Sequence, residues 1–409
     1  MAVPELLAPA GDLEKLQAAV IYGADAVYLG GKQFGLRERA GNFTLEEMAV
    51  GVEFAHARGV KVYVTVNIFA HNRDLDDLPA YLRQLEEIGV DAVIVSDPGV
   101  LALVREITPE LPVHLSTQAS TTNWMAARFW QEQGVSRIVL ARELTLEEIR
   151  EIRRQVQVPL EVFVHGAMCI SYSGRCLLSN YMTGRDANRG DCAQACRWRY
   201  ALVEEKRPGE YFPVEEGSRG TYILSSRDLC LLEYIPQLVE AGVDSLKIEG
   251  RVKSVHYVAT VVSVYRQALD DCRADPARFQ VQERWLEELG KVSHREYTTG
   301  FFTGKPAKAA QGAVDSIYRR PYTFVGVVRE YDPARGLALV EQRNRFARGE
   351  ELEVLLPGGQ TFSFVLTGLY DEEVSPIDAA PHPRQRVFLS LPRPVQPWSL
   401  LRRREEYNN

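Results

Sequence analysis

Short apolar runs alternate with longer amphipathic segments over the first 270 residues, a pattern typical of β/α units around a parallel sheet. Segments such as 13–22, 45–57 and 78–88 have the apolar spacing of helices, and Gly23, Gly59 and Gly89 follow them, where helices commonly end. The pattern predicts eight strands, at residues 5–8, 26–30, 61–67, 92–96, 112–116, 137–141, 160–165 and 245–248.

Eight β/α units are the number that closes a TIM-like (β/α)8 barrel, and about 250 residues is the usual size of that fold. We therefore predict an α/β protein of this class. A doubly wound open sheet is the alternative, because a pattern of hydrophobic positions does not show whether a sheet closes.

Polar side chains alternate with apolar ones on several predicted strands, and the polar face is expected to point into the barrel. On the fifth strand, His114, Ser116 and Gln118 share one face while Val113 and Leu115 take the other. Barrel enzymes carry their chemistry at the C-terminal mouth. The alternation predicts a site there made of Asn67, Gln118, His165, Lys247, Glu249 and Arg251. For His165 a satisfied polar core residue is the alternative.

A long insertion and a later change of pattern divide the chain into domains. We predict a barrel domain over residues 1–291 with an insertion at about 166–227, which the barrel places at its C-terminal face. A linker rich in Gly, Thr and Lys follows at 292–321. Short strands with turn signals then predict a small C-terminal β-barrel over 322–409, whose Arg-rich tail is expected to form a basic surface.

The number of charged residues in the chain limits which kinds of binding partner are expected. The chain has 409 residues, and 48 Lys and Arg against 55 Asp and Glu give a formal net charge of -7, which argues against nucleic-acid binding through overall charge. Residues 171–200 nevertheless hold five Arg and two Asp, and Trp198 and Tyr200 beside them offer stacking faces. Without a leader-like start or an apolar run of about 18 residues, we expect a cytoplasmic protein and no membrane association.

Four of the six cysteines lie within 28 residues, with the spacing C-x6-C-x15-C-x3-C: Cys169, Cys176, Cys192 and Cys196. Four thiolates are the usual complement of an iron–sulfur cluster or a structural zinc ion. The absence of a C-x2-C pair lowers the case for zinc, and buried or catalytic thiols are the third possibility. Cys230 and Cys272 are interpreted as structural, although Cys230 lies in the same long loop.

The residues 161–200, EVFVHGAMCISYSGRCLLSNYMTGRDANRGDCAQACRWRY, resemble the signature of the collagenase-like peptidases of unknown catalytic type, family thirty-two. The opening ELLAPAGDLEKLQAAVIYGADAVYLG and the later AGVDSLKIEGRVKS resemble the same family, so that the resemblance spans nearly the whole chain. Its better-understood members hydroxylate RNA bases or a quinone and carry a four-cysteine iron–sulfur cluster. The resemblance is greatest to the branch that hydroxylates the wobble uridine of tRNA with prephenate.

The resemblance implies a tRNA-modifying enzyme that converts wobble uridine to 5-hydroxyuridine. It implies a 4Fe-4S cluster on Cys169, Cys176, Cys192 and Cys196, with Cys230 in reserve for the last of these. Prephenate would be the co-substrate, and tRNA and a paralogous protein would be partners. Arg175, Arg185 and Arg251 are our candidates for binding a carboxylate or phosphate, because guanidinium groups bind these anions with two parallel hydrogen bonds.

Two other functions stay open. The family name suggests a peptidase, that is, a hydrolase, but the sequence has neither HExxH nor GxSxG. His165 and Cys169 are close enough in sequence to be drawn as a thiol protease pair. A non-catalytic tRNA-binding partner of a modification enzyme is the second alternative.

Overall fold

The computed structural model describes residues 3–35, 41–169, 171–172, 176–185, 187, 191–198, 201–203, 211–213, 227–304 and 319–405. The strands described up to residue 304 are β1 (Glu5–Pro9), β2 (Ala26–Gly30), β3 (Lys61–Val66), β4 (Ala92–Val95), β5 (Val113–Leu115), β6 (Arg137–Val139), β7 (Leu160–Ala167), β8 (Ala201–Val203), β9 (Tyr211–Pro213), β10 (Asp228–Cys230), β11 (Ser245–Ile248) and β12 (Tyr297–Thr298). The helices there are α1 (Leu13–Ile21), α2 (Leu45–His56), α3 (Leu78–Ile88), α4 (Pro98–Ile107), α5 (Trp124–Glu132), α6 (Leu146–Gln155), α7 (Leu178–Thr183), α8 (Ile235–Glu240), α9 (Val255–Ala274) and α10 (Glu283–Lys291).

Eight parallel strands close into a barrel, as the pattern of hydrophobic positions predicted. Strands β1 to β7 pair in sequence order, and β11 pairs with both β7 and β1. An open sheet would leave β1 or β11 at an edge, so the doubly wound alternative is wrong. All eight predicted strands are present, and most differ from the prediction by one or two residues at an end.

Local sequence signals set where several helices begin. In α2 and α6, Thr44 and Thr145 each accept a hydrogen bond from the backbone N–H of Glu47 and Glu148, whose side chains accept in return. These capping boxes satisfy backbone donors that a first helical turn leaves unpaired. The strands' outer face packs on the helices as one continuous apolar core. The lumen holds a separate small cluster of Leu7, Ala26, Tyr28, Tyr63, Ala92 and Ile94.

The cysteine-bearing insertion leaves and rejoins the barrel at the same strand. Strand β7 continues two residues beyond its predicted end, and β10 pairs with this extension antiparallel, with Cys230 opposite His165. Strand β12 then pairs with β10, so the sheet continues into the predicted linker at residues 297–298. The buried ion pair between Asp228 and Arg295, 2.8 Å apart, fastens this extension.

The C-terminal domain consists of short β-strands, as predicted, and where we predicted a small β-barrel the strand pairings form an antiparallel sheet. Its seven strands follow the spatial order β17-β16-β21-β13-β14-β20-β18, and β15 pairs with β19 beside it. The strands are β13 (Tyr322–Asp332), β14 (Leu337–Gln342), β15 (Phe346–Ala347), β16 (Glu351–Leu355), β17 (Thr361–Val365), β18 (Leu369–Tyr370), β19 (Ala379–Ala380), β20 (Arg386–Ser390) and β21 (Leu400–Arg404). Apolar side chains from these strands form a second core.

The Arg-rich tail corrects one expectation, because it forms the internal strand β21. This strand lies between β13 and β16, and Arg402 is fully buried. Its guanidinium group contacts Glu353 and lies 2.6 Å from Glu288 of α10. Arg403 pairs with Glu350 at 2.8 Å. The prediction of a basic surface is therefore wrong for these two arginines, because Arg402 is neutralised inside the protein and the partly exposed Arg403 is paired with Glu350.

The two domains share a polar and apolar contact surface. The hydroxyl of Tyr22, the residue after α1, lies within hydrogen-bonding distance of two β-domain carbonyls, those of Leu355 and Trp398, at 3.1 and 2.9 Å, and its single hydrogen is shared between them. Glu14 forms ion pairs with Arg329 and Arg343 of the β-domain. Arg402 belongs to the same surface, because its partner Glu288 is a residue of the barrel domain.

In the part of the chain that the structure describes, no helix is long and apolar enough to cross a bilayer.

Replacing Arg402 with methionine should destabilise the protein by up to about 3 kcal/mol at neutral pH, because two partly buried carboxylates lose one of their two cations and keep only Lys291. The measurement is urea unfolding of the full chain. Burial would raise the pKa of Glu353, but Arg402 and Lys291 outweigh burial and lower it. Stability from this pairing is present at neutral pH and is lost as pH falls through the lowered pKa, so the difference should narrow below about pH 4. The exposed Arg404→Met is the matched control; equal unfolding midpoints would contradict the prediction.

Candidate active site at the barrel mouth

A pocket opens at the C-terminal mouth of the barrel, where the fold places catalytic groups. Side chains from seven of the eight barrel strands, or from the residues just after them, reach it. Its lining residues are Tyr28, Thr65, Asn67, Ile94, Ser116, Thr117, Gln118, Val139, Arg142, Phe163, Lys247, Glu249 and Arg251. The structure thus brings five of the predicted site residues together.

The pocket has two chemically different sides. We call Arg142, Lys247, Glu249 and Arg251 the charged arc; they follow or belong to β6 and β11. We call Thr65, Asn67, Ser116, Thr117 and Gln118 the amide arc; they belong to or follow β3 and β5. Charged groups and neutral hydrogen-bonding groups therefore line the same mouth, and they meet where Arg251 donates to Thr65.

Below the charged arc, a chain of alternating charges fills the lumen. Lys247 lies 2.7 Å from Glu161, Glu161 lies 3.1 Å from Arg137, and Arg137 lies 2.6 Å from Glu5 at the floor. Burial would raise the pKa of Glu161, but Lys247 and Arg137 outweigh it and hold that pKa below its usual value. Two cations and two carboxylates balance, so this chain leaves no net charge beneath the pocket.

Arg251 crosses the mouth from the strand β11 side towards β3. Its two terminal nitrogens donate to Thr65 Oγ1 at 3.1 Å and to Asn42 Oδ1 at 2.6 Å. The path requires a glycine at position 30, since a Cβ atom there would lie 2.3 Å from the Arg251 guanidinium group. The side chain is only 3% exposed, so its position is closely determined by the barrel.

Arg142 is a site residue that the sequence analysis missed. It stands three residues beyond β6, stacks on the Phe163 ring at 3.9 Å, and donates to the carbonyl of Ala167 at 2.8 Å. Its other terminal nitrogen lies 3.9 Å from Glu249 Oε2. A basic residue immediately after a predicted barrel strand was the available signal, but strand six showed no alternation that pointed to it.

The amide arc contains acceptors that lack donors. Asn67 Nδ2 donates to Ser116 Oγ at 3.3 Å, which orients the amide. Within the described residues, Asn67 Oδ1 and Gln118 Oε1 are buried and have no hydrogen-bond partner. Gln118 is 5% exposed and lies in the short turn after β5, where its own backbone N–H donates to Ser116 Oγ. Buried acceptors of this kind are rare in folded proteins and indicate a place for a ligand or water.

His165 lies outside the pocket, so its predicted place at the mouth is wrong. The pairing of β7 with β11 contains a bulge in which Val164 is the extra residue, and His165 pairs with the outward-facing Ile248. The imidazole therefore packs behind the barrel, among the rings of Tyr257, Tyr265 and Tyr297. Strict alternation could not have foreseen the bulge. His165 is thus a buried core residue, as the alternative held, but it is not fully satisfied: Nδ1 lies 3.4 Å from the Tyr265 hydroxyl, and Nε2 has no partner among the described residues.

The two other arginine candidates, Arg175 and Arg185, are not among the described residues that line the pocket. Arg185 pairs with Asp191 inside the insertion at 2.7 Å and does not line the pocket. Its charge is compensated locally. Arg175 lies outside the described residues.

The four clustered cysteines have the donor chemistry that an iron–sulfur cluster requires. None is in a disulfide; Cys169 and Cys192 are exposed, and Cys176 and Cys196 are partly exposed. Among the described residues, however, no three His, Cys, Asp or Glu side chains are gathered as a metal site. The reserve ligand Cys230 faces α9 instead, with Sγ 3.8 Å from the Tyr265 hydroxyl, and burial raises its pKa.

The pocket suits the binding of an anion better than hydrolysis of a peptide. Arg142 and Arg251 against Glu249 leave one cation in excess, and guanidinium groups match carboxylates. No histidine is among the lining residues, all of which belong to the described part of the chain, and one carboxylate does not make an acidic pair. The pairing of His165 with Cys169 as a thiol protease has no support, because His165 is buried behind β7.

A closed parallel barrel with a polar, partly cationic mouth defines a class of barrel enzymes, and sequence comparison identifies the family. Residues 11–312 match peptidase family U32, and residues 320–402 match the C-terminal domain of that family. The chain belongs to peptidase family U32.

Three curated relatives are similar over most of this chain. The tRNA hydroxylation protein P1 of Bacillus subtilis is 48% identical over 98% of this chain and 94% of its own length. The tRNA hydroxylation protein P of Escherichia coli is 40% identical over 96% and 95%. A 23S rRNA 5-hydroxycytidine synthase of Escherichia coli is 40% identical over 76% and 47%. Among solved structures, the U32 peptidase Mk0906 matches 61% of this chain and 95% of its own, with 18% identity and a TM-score of 0.42.

Replacing His165 with phenylalanine should flatten the pH dependence of stability. Burial lowers the pKa of His165 to about 3, so only the unfolded chain takes up a proton as pH falls below about 6.5. Stability is full above that pH and declines towards pH 3, by about 2 kcal/mol between pH 7 and 5 for this residue. The test is urea unfolding at both pH values, with the exposed His382→Asn as control. Equal pH dependence in wild type and His165→Phe would refute this placement.

Proposed function

We propose that this protein is an RNA-modifying enzyme that hydroxylates a tRNA base, converting the wobble uridine to 5-hydroxyuridine. The observation that carries the proposal is similarity over nearly the full length to two tRNA hydroxylation proteins, at 48% and 40% identity. The pocket supports it, because a polar mouth at the C-terminal end of a closed barrel suits a small-molecule reaction.

The charged arc is the proposed site for a carboxylate co-substrate, which we infer to be prephenate. Arg142 and Arg251 offer the guanidinium groups, and Lys247 adds a third cation 4.4 Å from the ring centre of Tyr28. Glu161 offsets the charge of Lys247, so the excess charge available to the ligand comes from the two arginines. An anion entering here would meet positive charge in a partly dehydrated site, where electrostatic attraction is stronger than in water.

Cys169, Cys176, Cys192 and Cys196 are the proposed ligands of a 4Fe-4S cluster. When bound, such a cluster supplies redox chemistry that amino-acid side chains lack, which a hydroxylation requires. Cys169 lies two residues beyond the end of β7, the strand that contributes Phe163 to the pocket wall. Cys169 is therefore adjacent in sequence to a wall of the proposed reaction site, and the other three cysteines follow it in the same insertion.

The cysteine ligands are tested by Cys176→Ser, with Cys272→Ala on α9 as the matched control. In a strain lacking the native gene, wild type and the control should restore 5-hydroxyuridine in tRNA, and Cys176→Ser should restore none. Mass spectrometry of digested tRNA is the measurement. Anaerobically purified wild type should contain about four irons per chain, and Cys176→Ser should contain fewer. Full modification by Cys176→Ser, or iron-free active wild type, would contradict the cluster proposal.

The charged arc is tested by Arg142→Gln, with the exposed Arg154→Gln on α6 as control. Calorimetric titration with prephenate should show affinity at least about tenfold weaker for Arg142→Gln, because a charge-assisted hydrogen bond is removed. The control should bind as wild type does. Equal affinity in all three proteins would place the carboxylate elsewhere.

A further inference from the structure

The amide arc presents acceptors that an anion cannot satisfy. Asn67 Oδ1 and Gln118 Oε1 are buried, line the pocket and have no partner within the described residues. A carboxylate carries no hydrogen-bond donor at neutral pH, so a ligand of the charged arc would leave both oxygens unpaired. A buried acceptor without a donor costs free energy, and the cost is removed when a ligand brings N–H groups.

The orientation of one amide narrows the choice of ligand. Asn67 Nδ2 is engaged with Ser116 Oγ at 3.3 Å, so the oxygen is the atom left for the ligand. Gln118 presents its oxygen from the neighbouring position on the same arc, two residues after Ser116. No charged residue belongs to the arc. The matching ligand group is therefore neutral, polar and a donor of N–H hydrogen bonds.

The edge of a pyrimidine base has these properties. Uracil offers one donor, its ring N3–H, which one of the two amide oxygens accepts or both share, while the exocyclic amino group of cytosine offers two N–H hydrogens, one for each oxygen. Side-chain amides recognise base edges by such complementary hydrogen bonds. An enzyme that modifies a base must hold it unstacked in a pocket, and the mouth of this barrel provides one.

We propose that the amide arc binds the edge of the target pyrimidine, and that Asn67 and Gln118 determine which pyrimidine is accepted. The inference rests on the proposed function and adds to it the residues that read the base. The pocket then has two separate tasks: the charged arc takes the anion and the amide arc takes the base. One relative is named as a synthase of 5-hydroxycytidine, so a pyrimidine is the modified base of that relative.

The test uses two variants that remove an amide and keep similar volume, Asn67→Leu and Gln118→Met, with the exposed Gln155→Met on α6 as control. The probe is uridine, which carries no phosphate, bound to the purified full chain and followed by saturation-transfer NMR. Each pocket variant should bind uridine at least about tenfold more weakly than wild type, because a buried hydrogen bond to the base is lost. Malonate, a probe of the charged arc, should bind all four proteins equally.

Specificity is tested by Asn67→Asp, which leaves only acceptors at that position. Its carboxylate should repel the uracil carbonyls and accept from the cytosine amino group, so the ratio of cytidine to uridine affinity should rise about tenfold. An unchanged ratio would overturn the role of Asn67 in selection. Thermal unfolding midpoints near the wild-type value confirm that each variant is folded.

The outcomes separate this inference from the function on which it rests. If wild type restores tRNA hydroxylation and both amide variants restore it fully, the function stands and the inference is overturned. If wild type binds uridine through the two amides and restores no hydroxylation, the function fails and the base-reading role stands. Wild type that binds malonate and no uridine, with malonate binding weakened in Asn67→Leu and Gln118→Met, would assign the amide arc to the anion and overturn the inference.

Discussion

The buried carboxylate of Glu161 determines much of the arrangement inside the barrel. A fully buried charge is stable only with compensation, and Lys247 and Arg137 supply it from neighbouring strands. The carboxylate therefore fixes the position of the lysine that supports the charged arc. Arg137 also forms an ion pair with Glu5. Its positive charge lies near His114, and burial together with this charge lowers the pKa of His114 to about 3. Because the charges in the lumen cancel, the excess positive charge at the mouth comes from the two arginines above it, Arg142 and Arg251.

The parts of the fold and of the site that could be predicted from the sequence are those in which polar and apolar residues repeat with a regular period. Eight strands and their inward polar faces repeat every two residues, so the barrel and five of its mouth residues were predictable. His165 was not, because a single extra residue in β7 reverses the face of everything after it. Arg142 was missed because its strand, β6, shows no alternation of polar and apolar residues; Gln118 and Arg251, equally far beyond β5 and β11, continue the polar phase of their strands.

The arginines of the C-terminal strand β21 show a second reason why sequence alone did not predict the structure. Composition predicts exposure for a run such as LRRRE, because charged side chains are seldom buried. Arg402 is buried because Glu288 and Glu353 lie within contact distance, and these partners are 114 and 49 residues away in sequence. No local pattern carries that information. The buried pairing also crosses from the barrel domain to the β-domain, so it contributes to holding both domains together.

The pairing of β10 with the end of β7 closes the cysteine-bearing insertion at its base. The two ends of the insertion are joined by the hydrogen bonds between β7 and β10, and this pairing does not depend on the residues between them. The entropy of closing a loop grows slowly with length, by about 0.6 kcal/mol for each doubling. Residues can therefore be gained, lost or exchanged within the insertion at small cost to the barrel. The length and sequence of the insertion can therefore change while the charge balance inside the barrel stays the same.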